Sequence, residues 1–187
     1  MRVRTLTKRF NQREKIRDHF ATPMAITRLL LERETFEGTI LEPAAGERRA
    51  IVAALEEAGY DGIQHFDLHD PIPTDFLSWS GEVDNVITNP PFSQVCEFWE
   101  SAADVARRKI AFLMPLNFLT GKDRYERIWS NTAFPLARVY VLSRGIDFRG
   151  SDPFGEGFKP SQLYCAWCVW ERGHEGEAQL SIVHNQP

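Results

Sequence analysis

Asn89-Pro90-Pro91-Phe92 sets an amide, two prolines and an aromatic ring directly after the apolar run Val83 to Thr88. At the carboxyl end of a strand, such a tetrapeptide forms a stiff cup for a planar group that carries an amine. The prolines fix φ at successive positions and remove two backbone N–H donors, so the carbonyl oxygens there present acceptors only. An exocyclic NH2 suits that lining. The Asn89 side-chain oxygen adds a further acceptor, and Phe92 offers a face on which a base can stack. The same residues could also serve as an ordinary Asn-Pro turn with a buried Phe.

A second segment with chemical potential is Leu41-Glu42-Pro43-Ala44-Ala45-Gly46, between a short apolar strand (Thr39 to Glu42) and a helix (Glu47 to Ala58). Small residues at a strand-to-helix junction let backbone approach a ligand closely, and open α/β sheets bind ligands outside the carboxyl ends of their strands. Glu42 would be a carboxylate there, able to attract an ammonium group.

The elements that hold these segments are legible as an alternation. Thr22-Pro23 reads as an N-cap and first helical position, opening a helix through Leu31. Gly62 to Phe66 and Val83 to Thr88 read as strands, followed by a helix with Val95, Phe98, Trp99, Ala102, Val105 and Ala106 on one face. Lys109 to Pro115, Leu136 to Leu142 and Leu163 to Trp170 complete the strands, the last apolar at almost every position and so predicted inside the sheet. Strands alternating with amphipathic helices predict an α/β fold, with a mostly parallel sheet covered by helices on both faces.

In order along the chain stand a carboxylate-Pro-small-small-Gly turn, an acidic residue after the next strand, an Asp-Phe pair and Asn-Pro-Pro-Phe. This order resembles the S-adenosylmethionine-dependent amino-methyltransferases, and within them the adenine-N6 DNA methyltransferases, especially small forms carried by phages and prophages. The resemblance covers roughly residues 18 to 170. It implies a seven-stranded sheet of the Rossmann-like class I methyltransferase type, its last two strands an antiparallel pair. By the resemblance, His19 to Pro23, with Phe20, Thr22 and Pro23, line the methionine end of the cofactor, and Glu42, Pro43, Ala44 and Gly46 form the cofactor turn. Asp67 holds the ribose hydroxyls, and Asp75 and Phe76 surround the cofactor's adenine. Asn89, Pro90, Pro91 and Phe92 form the catalytic target-base site. The chain departs from the pattern at Arg48, where many relatives have a second glycine; its side chain must point away from the cofactor, or binding is weakened.

With a methyl donor at hand, acceptors at the Asn89 side chain and the Pro90 carbonyl would take the amine's two hydrogens and turn its lone pair toward the methyl carbon. Positioning and charge stabilisation then carry the catalysis, without a metal. A base in duplex DNA must leave the stack to reach such a cup. DNA is the expected partner, with RNA as the alternative nucleic acid. A protein glutamine as the methyl acceptor, or a catalytically inactive nucleic-acid-binding module, are the other readings.

The 187 residues are long enough for one domain with a full core, expected over 18–172, with a basic arm at 1–17 and a tail or edge element at 173–187. Seven cations against one carboxylate give the arm +6, which leaves −10 of the net −4 on the remainder. The arm suits phosphate contact or simple solvation. Neither a membrane-length apolar run nor an apolar leader is present, which makes the cytoplasm the expected location. His65, Asp67 and His69 alternate as metal ligands on a strand could, but the ribose role suits Asp67 better. Cys165 and Cys168, an odd offset apart on a strand, are expected as buried apolar thiols on opposite faces. Between the last two strands, Arg149 and Lys159 are candidate substrate contacts on a glycine-containing loop. Trp79, in a polar loop, is a candidate surface contact.

Overall fold

The computed structural model describes residues 22–67, 74–146 and 163–185. The basic arm, Phe20, His69, Arg149 and Lys159 therefore lie outside the described residues. Seven strands form one sheet: β1 (Ile40–Glu42), β2 (Ile63–His65), β3 (Val83–Thr88), β4 (Ala106–Pro115), β5 (Leu136–Leu142), β6 (Cys165–Glu171) and β7 (Gln179–Val183). Their spatial order is β2-β1-β3-β4-β6-β5-β7. The helices are α1 (Met24–Leu31), α2 (Ala50–Glu57), α3 (Val95–Val105) and the one-turn α4 (Lys122–Arg124), which runs on into a π-wound turn over Tyr125–Trp129.

The sheet is mixed, which corrects the expectation of a mostly parallel one. β6 runs antiparallel to β4 on one side and to β5 on the other, while β1 with β2, β1 with β3, β3 with β4, and β5 with β7 pair in parallel. The cause is local. The chain leaving β5 doubles back so that Ile146 pairs with Leu163, and a strand that starts from such a return must run against its neighbour. β6 is buried at every position except its last residue, as its continuous apolar run predicts.

Two apolar clusters cover the faces. On one, Ile26 and Leu30 of α1 and Ile51 and Leu55 of α2 pack on Ile40, Ile87, Leu113 and Trp167. On the other, Val95, Phe98, Trp99 and Ala102 of α3 pack on Leu41, Val86, Ile110, Phe112 and Trp170. Cys165 and Cys168 are buried and free, one in each cluster, and burial raises both thiols' pKa, that of Cys165 to about 12.

Thr22 does not cap α1, contrary to the sequence reading. Pro23 occupies the position before the helix in an extended conformation (ψ 134°), no side chain caps the helix, and Thr22 is buried. The helix is instead docked by Trp167, whose Nε1 donates to the Ile26 carbonyl at 2.9 Å. At its other end Glu34, 5% exposed, accepts from Lys109 Nζ (2.8 Å), Tyr140 Oη (2.8 Å) and the Arg138 guanidinium. Burial alone would raise this carboxyl's pKa, but the hydrogen bonds from Arg138, Lys109 and Tyr140 more than offset that and hold it below the usual range.

Candidate functional site

The chain moves from β1 outward to β2 and then returns to the other side of β1 as β3, so β1 and β3 flank a topological switch point. Ligands of open α/β sheets bind at such a crevice, outside the carboxyl ends of the strands. Glu42 ends β1 and Thr88 ends β3, both fully buried, and Thr88 Oγ1 donates to Glu42 Oε1 at 2.6 Å across the crevice. The same Oε1 accepts from the Ala44 backbone N–H at 2.9 Å, which folds the turn back over its own carboxylate.

The turn is tied to the neighbouring strand as well. Phe66 N–H donates to the Glu42 carbonyl (2.9 Å) and Ala45 N–H to the Phe66 carbonyl (3.0 Å), which brings Asp67 beside the turn. Asp67 is 7% exposed, and its charge acts on Glu42. Gly46 has φ 62°, the left-handed region that costs a glycine nothing, and its missing side chain keeps the turn's surface open. Arg48, the residue that departs from the methyltransferase pattern, is exposed. Arg49 takes φ 46° directly before α2, so the chain spends Glu47 to Arg49 on the turn and the helix starts at Ala50.

Burial drives the Glu42 carboxyl up to about 8; Thr88 and Ala44 counter this in part, while Asp67 adds to it. Burial and the neighbouring Asp67 carboxylate both disfavour the charged form, and a cation placed there would favour it. Glu42 Oε2 is buried with no hydrogen-bond partner among the described residues, and Thr22 Oγ1 is in the same condition. Buried oxygens without donors are costly, and a ligand's ammonium or hydroxyl groups would satisfy them.

Asn89 follows Thr88 and is half-buried, with its Oδ1 shielded from solvent. Pro90 is buried, and Pro91 and Phe92 are half-buried. The short 3-10 turn Phe92–Gln94 uses the Pro91 carbonyl, which accepts from Gln94 N–H at 2.9 Å. The Phe92 ring meets Phe118 edge to face, centroids 5.7 Å apart, and Phe118 lies on the 3-10 turn Leu116–Leu119 that leaves β4.

The structure brings Glu42, Pro43, Ala44, Gly46 and Asp67 to one end of the sheet, the end to which β3 delivers Asn89 to Phe92. It uses the Asp-Phe pair differently from the expectation. Asp75 is exposed and caps the turn Phe76–Ser78 through its Oδ1 on Leu77 N–H (3.1 Å). Phe76 is 2% exposed, with its ring against Phe98 at 5.4 Å, so it is a core residue rather than an open face for a base. The open aromatic surface near the turn belongs to Phe66 and Trp79, both half-buried and in edge contact at 5.2 Å. Phe66 was missed, although it immediately precedes Asp67 in the sequence.

The sequence matches no family profile and no curated protein. Solved structures share the fold. A modification subunit assigned to a type I restriction enzyme of Vibrio vulnificus YJ016 aligns with a TM-score of 0.60 at 15% identity over 90% of this chain and 47% of its own. The methyltransferase subunit of the type I restriction-modification system of Streptococcus thermophilus aligns at 0.57 and 14% identity, over 83% of this chain and 45% of its own. Magnesium protoporphyrin IX methyltransferase of Synechocystis PCC 6803, solved with bound S-adenosylmethionine, aligns at 0.54 and 12% identity, over 79% of this chain and 76% of its own. The chain thus has the Rossmann-like α/β fold of methyltransferases, and it spans about half the length of the two restriction-modification subunits.

Proposed function

We propose that this protein transfers a methyl group from S-adenosylmethionine to the exocyclic N6 amine of adenine in nucleic acid, with DNA as the substrate. The observation that carries the reading is the Glu42–Thr88 clamp, which joins the acidic turn after β1 to the strand that delivers Asn89-Pro90-Pro91-Phe92. A cofactor cradle and an acceptor-lined cup then share one crevice. The likeness to two type I restriction-modification subunits supports DNA over other amine-bearing substrates.

In this reading Glu42 Oε2 and Asp67 would hold the cofactor's ammonium and ribose hydroxyls, and the backbone of Ala44 to Gly46 would lie against it. Phe66 and Trp79 offer the apolar surface for its adenine. Bound there, S-adenosylmethionine would supply an electrophilic methyl group. The Asn89 side-chain oxygen and the Pro90 carbonyl accept the two hydrogens of the target amine, and the ring of Phe92 stacks on the extruded base. The methyl group would leave the cofactor's sulfur for the amine nitrogen that Asn89 and Pro90 hold, and the surplus proton on that nitrogen would leave to water.

Incubation with S-adenosylmethionine and unmethylated DNA, with RNA and protein in parallel, should yield N6-methyladenine in the DNA digest by mass spectrometry. The modified nucleoside in RNA alone, or methyl label in protein alone, would reassign the substrate. Asp67→Ala is expected to weaken cofactor binding about tenfold by calorimetry, the usual worth of a charge-assisted hydrogen bond to a ligand hydroxyl. An unchanged affinity would move the ribose contact to another residue.

A further inference from the structure

Directly beyond Phe92 lies an arginine held in place without a carboxylate. The Arg124 guanidinium sits over the Phe118 ring at 4.7 Å, and Phe118 in turn meets Phe92 at 5.7 Å. Arg124 Nε donates to two backbone carbonyls, that of Phe118 at 3.0 Å and that of Thr120 at 2.7 Å. Gly121, at φ 115°, leaves room for the group: a Cβ there would come within 2.6 Å of an Arg124 terminal nitrogen. Three independent features thus fix one side chain, which removes in advance the rotamer entropy that a long cation ordinarily loses on binding.

The charge itself is left over. The two terminal nitrogens of Arg124 make no hydrogen bond among the described residues, and no carboxylate there pairs with it. Its neighbours differ. Arg127 is consumed by Glu97 (3.0 Å) and Glu100 (2.6 Å), and Lys122 approaches Glu126 at 3.8 Å. A planar guanidinium with its terminal N–H groups free matches the oxygens of a phosphate, and phosphate contacts fix register without reading sequence.

We propose that Arg124 binds the backbone phosphate at the target nucleotide and that Phe118 links this contact to Phe92, so that gripping the backbone and seating the base happen together. The inference rests on the reading of Asn89 to Phe92 as the target-base cup. Arg124 is a positioning residue in this scheme: it holds the nucleotide and does not touch the reacting atoms.

The test uses the full chain and Arg124→Gln, which removes the charge but keeps an N–H for the Phe118 and Thr120 carbonyls, together with Arg124→Lys, which keeps the charge. Affinity for a short labelled single-stranded oligodeoxynucleotide is followed by fluorescence anisotropy across a salt series, and methyl transfer to the same oligonucleotide is measured beside it. Loss of one phosphate contact should lower the slope of log affinity against log salt by about 0.7 in Arg124→Gln, with affinity about tenfold weaker at low salt. Arg124→Lys should retain the wild-type slope. In methyl transfer Arg124→Gln should raise KM more than it lowers kcat. A wild-type slope in Arg124→Gln overturns the phosphate contact, whether or not the protein methylates. A reduced slope in a protein whose wild type transfers no methyl group would keep the phosphate contact but overturn its link to a target-base cup.

Discussion

Asn89→Ala is expected to lower kcat for methyl transfer to adenine by about 10²- to 10³-fold, the usual cost of removing one oriented hydrogen-bonding group from the place where charge develops. Cofactor affinity should stay at the wild-type value, because the proposed function places Asn89 against the substrate and assigns the cofactor to Glu42 to Gly46 and Asp67. The clamp that joins β1 to β3 belongs to Thr88 and not to Asn89, which is half-buried. A fall in kcat with constant cofactor binding separates a group acting on the reacting amine from one that merely supports the pocket. Single-turnover methyl transfer with labelled cofactor, paired with calorimetry of cofactor binding, reads both quantities. Equal single-turnover rates in wild type and variant would remove Asn89 from the chemistry.

Much of this arrangement was readable from the chain. Val83–Thr88 and Leu136–Leu142 begin and end where their apolar runs do, because flanking loops break the pattern sharply. β4 starts three residues earlier than its apolar run, at Ala106, because the exposed Arg107 and Arg108 extend the strand alongside β3 without contributing to the core. Register of this kind is set by the neighbour and not by the strand's own composition.

The site was legible where its residues are contiguous and obscure where they meet across the sheet. Asn89 to Phe92 announces itself through two fixed φ angles, and the Glu42 turn through its small residues. That Thr88 donates a hydrogen bond to Glu42, although 46 residues apart, follows only once β3 is known to lie beside β1. The Asp75-Phe76 pair shows the limit of adjacency. A 3-10 turn starting at Phe76 sends that ring into the core, while Trp79, at the end of the same turn, meets Phe66 beside the Glu42 turn. Neighbouring letters do not say which way a turn will aim them.

Glu42 offers the second large effect, through pH. Its carboxyl titrates near 4.5 when unperturbed and at about 8 in the folded protein, so the direction of the linkage is fixed. Below pH 4.5 the carboxyl is protonated in both states and contributes nothing. Between 4.5 and 8 only the unfolded chain ionises, and the folded state loses about 1.4 kcal/mol of relative stability per pH unit. Above 8 the penalty is constant. Glu42→Gln, which keeps the shape and cannot ionise, should therefore match wild type at pH 4.5 and unfold on the order of 10 °C higher at pH 8 in the absence of ligand. The groups facing this carboxyl are Thr88 and the Ala44 N–H, which donate to it, and Asp67, whose charge opposes its ionisation, so no cation of the described residues cancels the effect. The cofactor's ammonium would: binding it should draw the proton off Glu42, making the heat of binding near pH 7 depend on the ionisation enthalpy of the buffer. Glu42→Gln should lose that dependence and bind about tenfold more weakly, as removal of a charged hydrogen-bond partner requires. Buffer-independent heats in the wild type would mean that the ammonium meets another group, and a variant no more stable at pH 8 would mean that Glu42 ionises freely in the folded chain.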